Sequence, residues 1–386
     1  MHWSSAISRQ PDLDDALLDA ARILDAQLAG HAPDLLCVFG ARHRQLTRAA
    51  RWLHERYQPR ALIGCTASGA VGGGQEVEFR PALSLTAAVL PGVELTPFAW
   101  DTEALPDLDA APAAWHRWTG VAPAERQVFV LLAQPTRIDP SDLLLGLDFA
   151  YPSSLKVGGL ASAHPHNQLL LGADEPSGSV VGVALSGALR VDAVVAQGCR
   201  PLGPSFTVTK CVRNLLVELS GPEGPRRPTE VLDEVYEALG PAERARFSET
   251  LQVGVAQSEL LGPPEFLIRN VLGADHERGI LVTGALLRPG QTLQFHLRDG
   301  AAAAEDLRRQ LRRVEFARPP AGALLFTCSG RGQALFGAPN HDSSAFLSEV
   351  GDVPLGGFFC AGEIGPVGQE THLHGYTSAF AVFSPA

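Results

Sequence analysis

The sequence predicts an α/β protein in which repeated strand–helix–strand units form mixed sheets in two associated domains. An apolar run, an amphipathic helical stretch and a second apolar run ending in small residues and glycine recur in that order three times. Each copy spans roughly 30 residues from first strand to glycine turn, the size of one such unit. With 386 residues, 45% of them hydrophobic, the chain has the apolar material for a large core, and its length favours two domains or one large composite.

The elements follow in order. Leu13, Leu17, Ala21, Leu24 and Leu28 recur at helical spacing over about 12–27 until Gly30 stops the pattern, so residues 1–30 are expected to form a covering helix. The first copy has a buried strand at 35–39 and a helix at about 44–57 that Pro59 ends. Its second apolar run, 61–63, breaks into G-C-T-A-S-G at 64–69, and a strand follows at 82–90. In the second copy the strand is 128–133, Asp139 with Pro140 at the first helical position opens a helix to about Tyr151, and Val157 leads into G-G-L-A-S. In the third the strand is 323–326, Asp342 caps a helix to about Val350, Leu355 leads into G-G-F-F-C-A-G, and 377–383 closes the copy.

Between the second and third copies, G-P-E-G-P-R-R-P at 221–228 has no apolar period and reads as a linker. A hairpin at 206–208 and 215–219 precedes it. After it come a helix capped by Thr229 and ended by Gly240, strands at 251–255, 280–287 and 292–297, and an alanine-rich helix at 301–314. The division expected is therefore 1–30, an N-terminal region 31–220, the linker 221–228 and a C-terminal region 229–386.

The formal charge of −11 is spread over short acidic clusters, and no basic run could follow a phosphate backbone, so no nucleic-acid partner is expected. Asp12, Asp14, Asp15, Asp19 and Asp25 deny the first 30 residues the character of a secretory signal. Arg190, Asp192 and two glycines interrupt the longest apolar stretch, 180–196, so no membrane span is expected either. Six cysteines without a C-x-x-C pair suit a reducing compartment, and the expected location is the cytoplasm.

Four segments put small residues where an apolar run ends: G-C-T-A-S-G at 64, G-C-R-P-L-G at 198, T-C-S-G-R-G at 327 and C-A-G-E-I-G-P at 360. Glycine there lets backbone approach a ligand, so Cys65, Thr66, Ser68, Cys199, Arg200, Cys328, Ser329, Arg331 and Glu363 are the candidate ligand-binding residues. Together with the glycines near 158, these segments are expected to gather around one or two clefts. Arg200 and Arg331, each held by glycine or proline neighbours, suit a carboxylate or a phosphate. Glu363 is a lone carboxylate in an apolar setting and needs a cation, a backbone donor or a ligand amine; an internal salt bridge to one of these arginines answers the same need.

His164 with His166, and His372 with His374, form H-x-H pairs without a further ligand at metal spacing, so neither metal nor cofactor is expected. The triple glycine at 72–74 lacks the continuation of a phosphate loop. Cys328 with His341 and Asp342 could assemble a nucleophile, but no standard catalytic signature surrounds it, and no catalytic residue is assigned.

Several stretches resemble the FIST family: V-A-Q-G-C-R-P-L-G-P-S-F-T-V-T-K from Val195, F-L-I-R-N-V-L-G-A-D from Phe266, R-P-G-Q-T-L-Q-F-H from Arg288, A-L-L-F-T-C-S-G-R-G from Ala323, P-L-G-G-F-F-C-A-G-E-I-G-P from Pro354 and H-G-Y-T-S-A-F from His374. The resemblance covers roughly residues 30 to 386. It implies a sensory domain of signal transduction that binds a small ligand such as an amino acid, with its output in a separate protein because the sequence shows no kinase, chemoreceptor or F-box segment. An enzyme using Cys328 or Glu363, and a protein-recognition scaffold, are the alternative readings.

Overall fold

Each repeat folds as two parallel strands joined by a crossover helix, with one more strand before it and one after it. The computed structural model describes residues 1–136, 140–257 and 266–386. Module 1 runs β1 (His2–Ser8), α1 (Leu13–Leu28), β2 (Leu35–Ala41), α2 (Leu46–Tyr57), β3 (Ala61–Ala67), the hairpin β4 (Gly69–Gly72) and β5 (Gln75–Glu78), and β6 (Ala82–Val89). Module 2 repeats that order with β7 (Val93–Trp100), α3 (Pro112–Thr119), β8 (Val128–Ala133), α4 (Pro140–Ala150), β9 (Leu155–Leu160), the short β10 (Leu169–Leu171) and β11 (Val180–Gly187). The expected cap of α4, Asp139, lies outside the described residues. Module 3 opens with β12 (Leu189–Ala196) and is then interrupted in sequence.

The interruption comprises β13 (Cys199–Val212), β14 (Leu215–Gly221), β15 (Gly224–Arg226), α5 (Pro228–Glu237), the single turns α6 (Pro241–Arg244) and α7 (Phe247–Thr250), β16 (Leu251–Ala256), β17 (Phe266–Asp275), β18 (Ile280–Thr283) and β19 (Thr292–Arg298). Module 3 resumes with α8 (Gly300–Arg313), β20 (Gly322–Cys328), the turn α9 (Gln333–Phe336), α10 (His341–Val350), β21 (Leu355–Cys360), the hairpin β22 (Glu363–Val367) and β23 (Glu370–His374), and β24 (Ser378–Pro385). By their contacts the residues form unit 1, Met1–Ala196 with Leu307–Ala386, and unit 2, Gln197–Asp306.

Within unit 1 each module makes a sheet of mixed direction. Its strands are ordered β1-β6-β2-β3 in the first, β7-β11-β8-β9 in the second and β12-β24-β20-β21 in the third, and only β2–β3, β8–β9 and β20–β21 run parallel. The free edge of each sheet is closed by a neighbour. The β4–β5 hairpin of module 1 pairs with β21, β10 of module 2 pairs with β3, and the β22–β23 hairpin of module 3 pairs with β9. The exchange is therefore cyclic, and it covers one edge of each sheet.

Strand alternation puts one face of each sheet into a common core, where Phe39, Val130, Phe326 and Phe358 meet without exposure to solvent. Helices cover the outer faces: α1 and α2 on the first sheet, α3 and α4 on the second, and α8 and α10 on the third, through Leu17 and Leu53, Trp115 and Leu147, and Leu307 and Phe346. Each large apolar side chain so buried contributes about 1.5–3 kcal/mol.

The glycines that seemed to mark turns are inside strands. Gly64, Gly158 and Gly357 occupy equivalent places in β3, β9 and β21, where an added Cβ would come within 2.2, 1.9 and 1.9 Å of the carbonyl oxygens of Val38, Leu131 and Leu325. Gly158 and Gly357 also have φ of 154° and 151°. Their small size serves the pairing of the parallel strands.

In unit 2, β13, β19, β16, β17, β18 and β14 pair in that order and β14 returns to β13, closing an all-antiparallel barrel. The 221–228 segment, read as a linker, is the turn and return strand of a hairpin in this barrel, with Leu219 paired to Arg226. Two expected caps are also reassigned: α5 is preceded by Arg227 rather than Thr229, and α10 by Asn340 rather than Asp342.

Candidate functional site

The parallel strand pairs end at one place in unit 1, and the residues just beyond them meet. Ser68 follows β3, Ser162 follows β9 and Ser329 follows β20. The Ser68 amide donates to Ser162 Oγ (2.8 Å), and the Ser68 and Ser329 hydroxyls lie 2.8 Å apart. Ser329 Oγ donates to the Cys360 carbonyl (2.8 Å) and Ser162 Oγ to that of Phe359. Each serine has one proton, so the Ser68 hydroxyl is the donor to Ser329. The three hydroxyls are thus satisfied internally and tie the modules together.

Behind Ser329 lies a buried ion pair. Arg331, with no solvent exposure, donates from Nε and Nη2 to the two carboxylate oxygens of Asp342, both at 2.9 Å. Its third nitrogen reaches the Tyr376 carbonyl at 3.4 Å, and the guanidinium carbon lies 5.1 Å from the centre of the Phe336 ring. Asp342 also accepts from Thr327 Oγ1 (2.8 Å), from Ser378 and from His341 Nδ1 (3.0 Å). Burial opposes charge on both partners, but the Asp342 charge and hydrogen bonds raise the Arg331 pKa, and Arg331 and the other donors hold Asp342 well below the usual carboxylate range.

Two further carboxyls are buried nearby. Glu363, on β22, accepts at Oε2 from Thr377 Oγ1 (2.8 Å) and the Thr377 amide (3.2 Å), and the Cys328 thiol lies beside the carboxyl as a further, weak donor. Burial pushes its pKa up to about 8, against the opposing effect of Thr377 and Arg331. Glu76, on β5, accepts from the Ser343 amide (2.6 Å), and burial followed by the Asp342 charge takes it also to about 8. Burial, then Glu363, pushes the Cys328 thiol up to about 12. A thiol so protonated is a poor nucleophile. Iodoacetamide at pH 7.5 is expected to leave native Cys328 essentially unlabelled while the unfolded protein reacts at all six cysteines; rapid labelling of native Cys328 would restore the enzyme reading.

On the solvent side of the serines is a cleft of about 470 Å³. The β2–α2 loop contributes Arg42, His43 and Arg44, the β9–β10 loop His164 and His166, and Ser68 and Ser162 form its floor. His43 is buried with Nε2 unpartnered among the described residues, and Arg42 takes φ of 57°, a left-handed conformation uncommon for a non-glycine residue.

The structure thus brings together Ser68 and Ser329, and in the buried cluster Cys328, Arg331 and Glu363. Cys65 faces the common core, its thiol raised well above the ordinary range by burial and then Cys37. Thr66 donates to the His166 carbonyl (3.1 Å) and accepts from the Gln168 amide (2.8 Å), pinning the β9–β10 loop. Cys199 and Arg200 belong to unit 2, where Arg200 pairs with Glu243 and lines a separate cleft of about 500 Å³. Sequence reasoning missed Asp342 as a counter-ion, Thr377, Glu76, Ser162 and the Arg42–Arg44 loop. The matched places of Ser68 and Ser162, in T-A-S and L-A-S at the ends of two repeats, were the available signal for Ser162.

Fold and site together define a multi-module α/β protein with its polar groups gathered at the ends of parallel strand pairs. Residues 34–222 match the FIST N domain and residues 228–366 the FIST C domain. The chain belongs to the FIST family, whose domains are sensory domains of signal transduction. An uncharacterized protein of Mycobacterium bovis is 38% identical over 395 residues, 99% of each chain, and one of Mycobacterium tuberculosis is 36% identical over 394 residues, covering 99% of this chain and all of the relative. An F-box/LRR-repeat protein of Arabidopsis thaliana is 34% identical over 137 residues, 31% of this chain and 26% of its own. The family seam at 222–228 falls inside the unit 2 barrel, so the sequence regions and the compact units do not coincide. No helix among the described residues is long and apolar enough to cross a membrane.

Proposed function

We propose that the protein is a sensory protein whose small ligand, an amino acid or similar small carboxylate, occupies the cleft above the three serines, and whose output passes to a separate protein in the cytoplasm. The observation that carries this reading is the cleft itself: loops from two modules converge on it at the carboxyl ends of parallel strands, the place where α/β folds hold ligands. Arg331 and Arg200, first considered as the carboxylate's partners, are committed to Asp342 and Glu243, and Glu363 has no exposure. The cleft residues take over the binding role. Its floor is wired to the buried cluster through Ser68 and Ser329, so a ligand that shifts Ser68 shifts the strand end carrying Cys328 and Arg331.

The protein purified under native conditions is expected to retain or capture a small molecule detectable by mass spectrometry. Ala163→Trp, which fills the cleft from a partly exposed position, is expected to abolish retention without lowering the unfolding temperature. Retention unchanged in that variant would place the ligand elsewhere.

A further inference from the structure

The cleft has a one-sided charge. Among the described residues its lining contains the two arginines Arg42 and Arg44, three histidines and no carboxylate, in a chain whose formal charge is −11. Both arginines are exposed, and among the described residues neither has an ion-pair partner. Their neighbours behave differently: Arg48, Arg51, Arg56 and Arg60, on α2 or just after it, pair with Asp14, Asp174, Asp25 and Asp34. Among the described residues Asp12 is the carboxylate that acts on His43, and its side chain is occupied as the cap of α1, accepting from the Asp14 and Asp15 amides at 2.9 and 3.2 Å. Two residues after Arg44, α2 begins, its first amide, that of Leu46, donating to Gln168 Oε1 (3.3 Å) with no cap from Gln45, so the positive end of a helix lies at the same margin. The serines are already satisfied by one another and by main-chain carbonyls, which leaves the guanidinium groups and the buried His43 Nε2 among the lining groups without a partner among the described residues.

We propose that the cleft recognises a compact oxyanion, a carboxylate or a phosphate, through Arg42, Arg44 and His43, and that it does not recognise an ammonium group. This rests on the cleft being the sensory site, and it narrows the ligand within that reading. A guanidinium pair suits the two or three oxygens of such a head group. A zwitterionic amino acid would place its ammonium among cations with no acidic side chain among the described lining residues to receive it, so it binds less well than the matching acid without the amine.

Calorimetry with inorganic phosphate, malonate, succinate, alanine and glycinamide tests this, using the full chain, Arg42→Ala/Arg44→Ala and, as a control of equal charge change, Arg22→Ala/Arg278→Ala. Phosphate or a dicarboxylate is expected to bind saturably, alanine more weakly and glycinamide not at all. The Arg42/Arg44 variant is expected to lose about ten- to a hundredfold in affinity, the control less than about twofold. Phosphate binding without dicarboxylate binding assigns the head group as phosphate, and the reverse as carboxylate. Alanine bound as tightly as the best anion, or any binding of glycinamide, that Ala163→Trp removes would overturn the oxyanion assignment and leave the sensory cleft standing. Anion binding equal in both arginine variants, or absent from the parent, would overturn the assignment as well, while retention of a metabolite sensitive to Ala163→Trp would still locate the sensory site.

Discussion

Asp342→Ala is expected to destabilise unit 1 by about 3–5 kcal/mol, because it leaves the Arg331 guanidinium charged, buried and without its counter-ion. Three donors, on Thr327, Ser378 and His341, lose their acceptor in the same step. Arg331→Met should cost less. Asp342 would keep those three donors, and methionine fills much of the space with no charge to solvate. The midpoint of urea unfolding measures both, and the double variant completes a cycle in which the two effects are far from additive. A loss below about 1 kcal/mol for Asp342→Ala would mean that water reaches the pair.

Stability is expected to fall as the pH is raised from about 4.5 to about 8. Glu363 and Glu76 keep their protons in the folded protein up to about pH 8, whereas in the unfolded chain they ionise near 4.5. Between those values the folded state holds more protons, so the stabilisation present below 4.5 is lost as the pH climbs through the window. For Glu363 alone the loss is roughly 3–5 kcal/mol. Glu363→Gln imitates the protonated acid, keeps an acceptor for Thr377 and should flatten the pH profile, gaining most over the parent near pH 8. Parallel profiles for parent and variant would show that Glu363 is ionised at neutral pH and that a cation accompanies it.

What the sequence revealed and what it concealed divide along the range of the interactions. The three strand–helix–strand copies were legible because apolar period, helix and glycine lie within one continuous stretch, as with 35–67. The cyclic pairing was not, because Gly69–Gly72 carries the same alternation whether its partner is nearby or is β21. Gly158 and Gly357 were seen and misread: a glycine required by a neighbouring carbonyl looks in sequence like a glycine in a turn. Arg331 was picked out as a guanidinium held by glycine neighbours and Glu363 as a lone carboxylate in an apolar setting, and both are buried. The partner of Arg331 was hidden because an aspartate near the start of a helix has a ready local explanation as its cap, and Asp342 instead points at an arginine. The Arg42–Arg44 loop was passed over because arginine beside a helix reads as a solvated face, and only the placement of the other arginines' carboxylates makes these two stand apart.

The cyclic exchange of hairpins sets an order on synthesis. As the chain leaves the ribosome, β8 and β9 can pair early, but the strand that covers the far edge of β9 is β22, which begins at Glu363. Module 2 therefore waits for about 200 further residues of synthesis, from Leu160 to Glu363, with an open and apolar edge. The nascent protein is most exposed to mispairing with other nascent copies during that interval, and a message truncated shortly before Glu363 would yield a product in which β10 and β4 can still cover β3 and β21 while the β9 edge has nothing to cover it.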